Sequence, residues 1–165
     1  MGLQEVRNKI IEKISRFDFL IDGEEDEEDT GPVQIMFTDS SVLEIELVPD
    51  GESVEYKWKG KGEVEEEDKK TDWFRIDLTA KEPFFQLQKM KVLDCDELLF
   101  GTVKERPESM VVAGIGLRFE NGMSLVYYNA GDFAKVYVNE MPLPFNGQFK
   151  LVWKNGKFED IQTGD

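Results

Sequence analysis

The sequence predicts an α+β fold: an N-terminal amphipathic helix packed on a curved or two-layered, mainly antiparallel β-sheet. Three observations predict it. Apolar residues before residue 18 recur at helical spacing, those after Pro32 alternate with a period of two, and Asn-Gly turn pairs punctuate the last third. A chain of 165 residues with 40% hydrophobic and 12% aromatic content suffices for one domain, spanning 1–165, with its own core.

Leu3, Val6, Ile10, Ile11, Ile14 and Phe17 fall on one face of a helix, with Glu5, Arg7, Lys9, Glu12 and Lys13 largely elsewhere. The polar face mixes both signs, as suits a helix laid on a sheet; a membrane-surface helix would be rich in Lys and Arg. Asp22 to Asp29 then supplies seven acids in eight residues and Thr30-Gly31-Pro32 ends the run, so this is a solvated loop. Val33, Ile35 and Phe37 alternate, as do Leu43, Ile45 and Leu47, then Val54, Tyr56 and Trp58, and Phe74, Ile76 and Leu78. Strict alternation marks strands with one dry and one wet face. Pro49-Asp50-Gly51 turns the chain between two of them, Gly60-Lys61-Gly62 reads as another turn, and a second acidic loop runs from Glu63 to Asp68.

Between Glu82 and Glu108 the pattern is mixed: Phe84, Phe85 and Leu87 read as a strand, Leu98 to Val103 as another, and Lys89 and Lys91 interrupt any single period. Ile115, Leu117 and Phe119 lead into Asn121-Gly122, with Leu125 and Tyr127 on the return, the pattern of a hairpin with a type I′ turn. Asn129 to Asp132 turns the chain into Val136 and Val138; Phe149, Leu151 and Trp153 form a further strand, which Asn155-Gly156 turns toward Phe158. About nine strands follow the helix, without a repeat of fixed period.

The chemistry is bounded mainly by what is missing. There is no histidine, which removes Ser-His-Asp and Cys-His pairs and histidine-containing zinc sites. The single cysteine, Cys95, lies between Asp94 and Asp96, where negative charge disfavours the thiolate, and it has no partner for an internal disulfide. Counted from Asp22, an EF-hand loop needs Gly at position six and Glu at twelve; Glu27 and Val33 stand there instead. Gly114-Ile115-Gly116 lacks the spacing of a phosphate cradle and reads as a bulge or a crowded point in a strand. No catalytic residue, cofactor or metal is expected, and the chain reads as a non-enzyme. A carboxylate-based hydrolase stays open, since such chemistry needs only two acids at the right separation.

The net charge of −15 sets the partners. It speaks against nucleic acid, whose phosphates call for clustered cations, and favours encounter with a basic protein. The expected partner-binding residues are Glu24, Glu25, Asp26, Glu27 and Glu28 of the first acidic loop, Glu65, Glu66 and Glu67 of the second, and Tyr128. Tyr127 and Tyr128 point to opposite faces of a regular strand, so one of them should meet solvent or a partner. The Met-Gly-Leu-Gln-Glu-Val start does not read as a signal peptide, and no apolar run approaches the ~18 residues of a membrane span, so a cytoplasmic location is expected.

The segment Gly116-Leu-Arg-Phe-Glu-Asn-Gly-Met-Ser-Leu-Val-Tyr-Tyr-Asn-Ala-Gly-Asp132 resembles a hairpin found near the C-terminus of several small bacterial proteins, among them immunity proteins of polymorphic toxin systems. It covers about a tenth of the chain. The resemblance implies a cytoplasmic protein that neutralises a toxin domain, often a nuclease, by covering its active site; it carries over no inhibitory residue. A structural or regulatory protein-interaction domain is the alternative.

Overall fold

A computed structural model describes residues 2–21, 24–25, 31–59, 73–80, 82–131, 134–144 and 146–158. Among the described residues, eleven strands form two antiparallel sheets. In the first, β1 (Ile11–Ile21) lies between β3 (Val33–Phe37) and β6 (Trp73–Asp77); β4 (Val42–Leu47) and β5 (Val54–Lys59) continue beyond β3, and the short β2 (Glu24–Glu25) folds back on the end of β1. The second sheet runs in the order β10 (Ala134–Val138), β9 (Ser124–Asn129), β8 (Val111–Phe119), β7 (Val92–Thr102) and β11 (Phe149–Trp153).

The alternation read from the sequence explains the main core. Ile35, Phe37, Leu43 and Ile45 from the first sheet meet Ile115, Leu117, Leu125 and Tyr127 from the second, and all are fully buried. Each such side chain contributes roughly 1.5–3 kcal/mol through removal from water. A seam joins the sheets at one corner, where the chain entering β1 pairs with the chain entering β7. Asn8 N donates to Val92 O at 2.7 Å, Val92 N to Lys9 O at 2.8 Å, Lys89 N to Ile11 O at 2.7 Å and Ile11 N to Met90 O at 2.9 Å.

The α+β expectation is overturned. The N-terminal helix does not form, and the helical turns among the described residues are short 3-10 segments at Leu3–Val6, Leu78–Ala80, Phe84–Leu87 and Pro107–Ser109. The apolar spacing that suggests a helix has three separate sources. Leu3 and Val6 share the buried side of a 3-10 turn; Asn8, at positive φ, ends it; and the register of β1 against β3 shifts between Ile11 and Lys13. That irregularity sends both Ile11 and Ile14 into the core, a spacing of three that mimics a helical face. The β-branched residues Ile10, Ile11 and Ile14 also favour the pleated surface over a helix.

Two further expectations need correction. Phe84–Leu87 is a 3-10 turn rather than a strand: Phe84 packs on the core and Leu87 is buried, while Phe85 between them is 57% exposed. The Asn121-Gly122 turn is a hairpin, but only Gly122 has positive φ (+83°), so it is not type I′. Gly122 N donates to Phe119 O, and Met123 N to Asn121 Oδ1. The turn therefore spans Glu120 and Asn121, with Gly122 in the left-handed position that permits the return. The Gly114–Gly116 reading holds in both its forms. The β7–β8 register shifts beside Gly114, and Gly116 faces the Trp153 ring. The turn expected at Gly60-Lys61-Gly62 lies outside the described residues.

The second sheet carries an apolar cluster on each face. Alternate residues of β9 divide between two clusters: Leu125 and Tyr127 enter the main core, while Val126 and Tyr128 join Leu98, Ala113, Leu151, Trp153 and Phe158 on the outer face. No helix among the described residues is long and apolar enough to cross a membrane.

Candidate functional site

Two turns meet at one end of the outer face of the second sheet. In the β4–β5 turn the Asp50 carboxylate accepts hydrogen bonds from Glu52 N (2.9 Å), Ser53 N (2.8 Å) and the Ser53 hydroxyl (2.6 Å), and these donors hold its carboxyl below the usual value. In the β9–β10 turn Asn129 Oδ1 accepts from Gly131 N at 3.0 Å, and Asn129 Nδ2 donates across to Ser53 O at 3.2 Å. Side-chain to backbone bonds of this kind fix turn geometry without long-range support. The two turns are thereby tied to each other.

Between them lies an open pocket of about 290 Å³. Phe100, Ala113, Tyr128 and Phe149 wall it from the strands, and Gly51, Glu52, Asn129, Ala130 and Gly131 line it from the turns. Phe100 and Phe149 stack at 5.1 Å between ring centroids, on adjacent strands. Tyr128 is 7% exposed and packs near Tyr137 at 6.4 Å; burial and the Tyr137 phenol push its hydroxyl pKa up. Among the described residues Glu52 is the one acid of the lining, and none of them is a base.

Of the residues expected to bind a partner, Tyr128 reaches this pocket. Tyr127 and Tyr128 do point to opposite faces, yet both are buried, because the outer face has its own apolar cover. Of the expectation that one of them meets solvent or a partner, the solvent half is therefore corrected. Glu24 and Glu25 form β2, with Glu25 opposite Leu20 and Glu24 opposite Ile21; Asp26, Glu27, Glu28, Glu65, Glu66 and Glu67 lie outside the described residues. The sequence reading does not reach Phe100, Phe149 or Glu52. The available signal was the unbroken apolar runs Leu98-Leu99-Phe100 and Leu125-Val126-Tyr127-Tyr128, which mark strands covered on both sides.

Elsewhere the buried ionisable groups are occupied by the fold. Asp96, with no exposed surface, accepts from Glu97 N (2.9 Å), Asn155 N (3.0 Å), Asn155 Nδ2 (3.0 Å) and Lys157 N (3.1 Å). Asp94 lies 3.9 Å from both Arg7 and Arg118. Burial, reinforced by Asp94 and Asp96, lifts the Cys95 thiol to about 11, so it is protonated at neutral pH. A second pocket, of about 330 Å³, is lined by Glu140, Arg16, Lys135 and Tyr137 among others. Among the described residues no three His, Cys, Asp or Glu side chains cluster as a metal site would require.

No family model matches the chain, and no curated protein or solved structure does.

Proposed function

We propose that the chain is a non-catalytic acidic binding protein that engages a basic protein partner, in the manner of an immunity protein covering a toxin domain. A net charge of −15 steers such an encounter, and binding of this kind asks for no reactive group. The observation that carries the reading is the register of β1. Its end pairs with Glu24 and Glu25 through Ile21 and Leu20, and Phe19 pairs with Trp73, the first residue of β6. The strand formed by Glu24 and Glu25 and the strand that begins at Trp73 therefore adjoin the same end of β1, although Glu25 and Trp73 stand 48 residues apart in the chain. Acidic residues concentrated in two runs of the sequence suit a cationic surface better than the same charge spread evenly.

The test is an association-rate measurement against the product of the neighbouring gene, since an immunity gene sits beside its toxin. Raising salt from low to physiological strength should slow association roughly tenfold or more, as exposed charges become screened beyond about 8 Å. Replacing Glu24, Glu25, Glu27 and Glu28 by Gln and Asp26 by Asn should reproduce much of that loss with the unfolding midpoint nearly unchanged. A rate indifferent to salt and to these substitutions refutes the proposal.

A further inference from the structure

We infer that the pocket between the β4–β5 and β9–β10 turns receives an arginine side chain of the basic partner, an inference that rests on the proposed function and gives that binding its anchor. Arginine is amphipathic: a three-carbon stem that gains from apolar contact, ended by a flat cation that gains from aromatic rings and carboxylates. The pocket offers both halves. Phe100, Phe149, Ala113 and Tyr128 supply apolar and aromatic wall, and Glu52 supplies the negative charge at the turn. The stacked Phe100–Phe149 pair suits a planar guanidinium, which extends such a stack as a compact ammonium does not.

Two features favour this occupant over a purely apolar one. Among the described residues the lining holds an acid and no base, so an apolar group seated there would bring a carboxylate toward a dry surface without compensation. The rim is also set before binding, by the three hydrogen bonds to Asp50 and by the Asn129 bridge to Ser53, which lowers the ordering cost an incoming side chain must meet. Arginine and aromatic residues are the groups that dominate binding hot spots when they fill a pocket.

The full chain is titrated with the peptide acetyl-Gly-Arg-Gly-amide and with its citrulline and norleucine counterparts, following the amide resonances of Ala113, Ala130 and Gly131 by NMR. The arginine peptide should shift these amides with roughly fivefold higher affinity than citrulline, the equivalent of about 1 kcal/mol for one cation–π and carboxylate contact. Glu52→Gln, at an exposed position, should erase most of that preference while leaving the spectrum otherwise unchanged. Norleucine binding as well as arginine, or no perturbation by any of the three, overturns the inference. Phe149→Leu and Glu52→Gln should each speed dissociation of the whole partner. If both leave dissociation unaltered while association still falls with salt, the pocket assignment fails and the acidic-binding reading stands. If association ignores salt, that reading fails, whatever the peptides do.

Discussion

Gly116 leaves no room for a methyl group. A Cβ there would lie 2.6 Å from Trp153 Cη2 and 2.9 Å from Cζ3, and the Trp153 ring is itself stacked on Phe158 at 4.3 Å. Gly116→Ala should therefore cost about 1–3 kcal/mol, measured as a shift of the urea midpoint, because Phe158 Cζ also stands 3.3 Å from the new carbon and neither stacked ring can give way without moving the other. Asp96 holds the same region from another direction. Its carboxylate gathers the backbone of Asn155 and Lys157, and so fixes the turn that carries the chain from Trp153 to Phe158. Asp96→Ala strands several donors and should cost about 1–3 kcal/mol or more, with Trp153 fluorescence moving toward that of a water-exposed indole. Cys95, beside it in β7, is inert for a reason the sequence already contains, flanking acids, and for one it does not, complete burial. A thiol reagent at neutral pH should leave it unmodified in the folded protein and label it once urea unfolds the chain.

At the scale of elements, the first sheet carries a polar ladder on its outer face. Gln34 Nε2 donates to Glu44 Oε1 at 3.0 Å, and Lys59 and Lys57 approach the other Glu44 oxygen at 3.3 and 3.4 Å, with Lys57 also on Glu46 at 2.9 Å. Burial works to raise the Glu44 pKa, but the Gln34 bond and the two ammonium groups more than offset it, and the carboxyl ends below its ordinary 4.5. A carboxyl with a lower pKa folded than unfolded adds stability above its unfolded value and loses it as pH falls through the folded one. Asp39 behaves alike, held at about 2 by Lys9 and the Ser41 hydroxyl, though its exposure leaves it more screened. Urea midpoints should thus decline as pH drops below about 4.5, and Glu44→Gln should flatten that decline. The N-terminal segment teaches a different lesson about elements. Apolar spacings of three arise there from a 3-10 turn and from a register shift in β1, and periodicity alone does not separate these from an α-helix.

For the whole molecule, the excess of negative charge opposes compaction, while the main core and the outer cluster oppose unfolding. Salt screens the exposed repulsions more than the buried Glu44 contacts, so moving from low to moderate ionic strength should stabilise the fold. A gain of about 1 kcal/mol would raise the melting temperature by roughly 2–4 °C for a chain of this length, readable by calorimetry. The same screening should weaken binding of a basic partner. Stability and association should therefore respond to salt with opposite sign, which is the signature of charge kept for encounter at some cost to the fold.

The strands from Val33 to Trp58, and those from Ile115 to Trp153, were legible in the sequence because each is a local matter: alternation, flanking turn residues and β-branched or aromatic content suffice to define it. The absence of histidine and the setting of Cys95 between two acids were equally legible, since composition and adjacency are properties of the chain alone. The remaining features depend on partners far along the chain. The segment before Phe17 became an edge of the core because Asn8 to Ile11 found Lys89 to Val92 to pair with. Tyr128 became a pocket wall because Phe100, Ala113 and Phe149 came beside it on neighbouring strands. A residue's local pattern tells which side of its strand it faces; whether that side meets water, another sheet or a pocket is settled by which strands lie next to it.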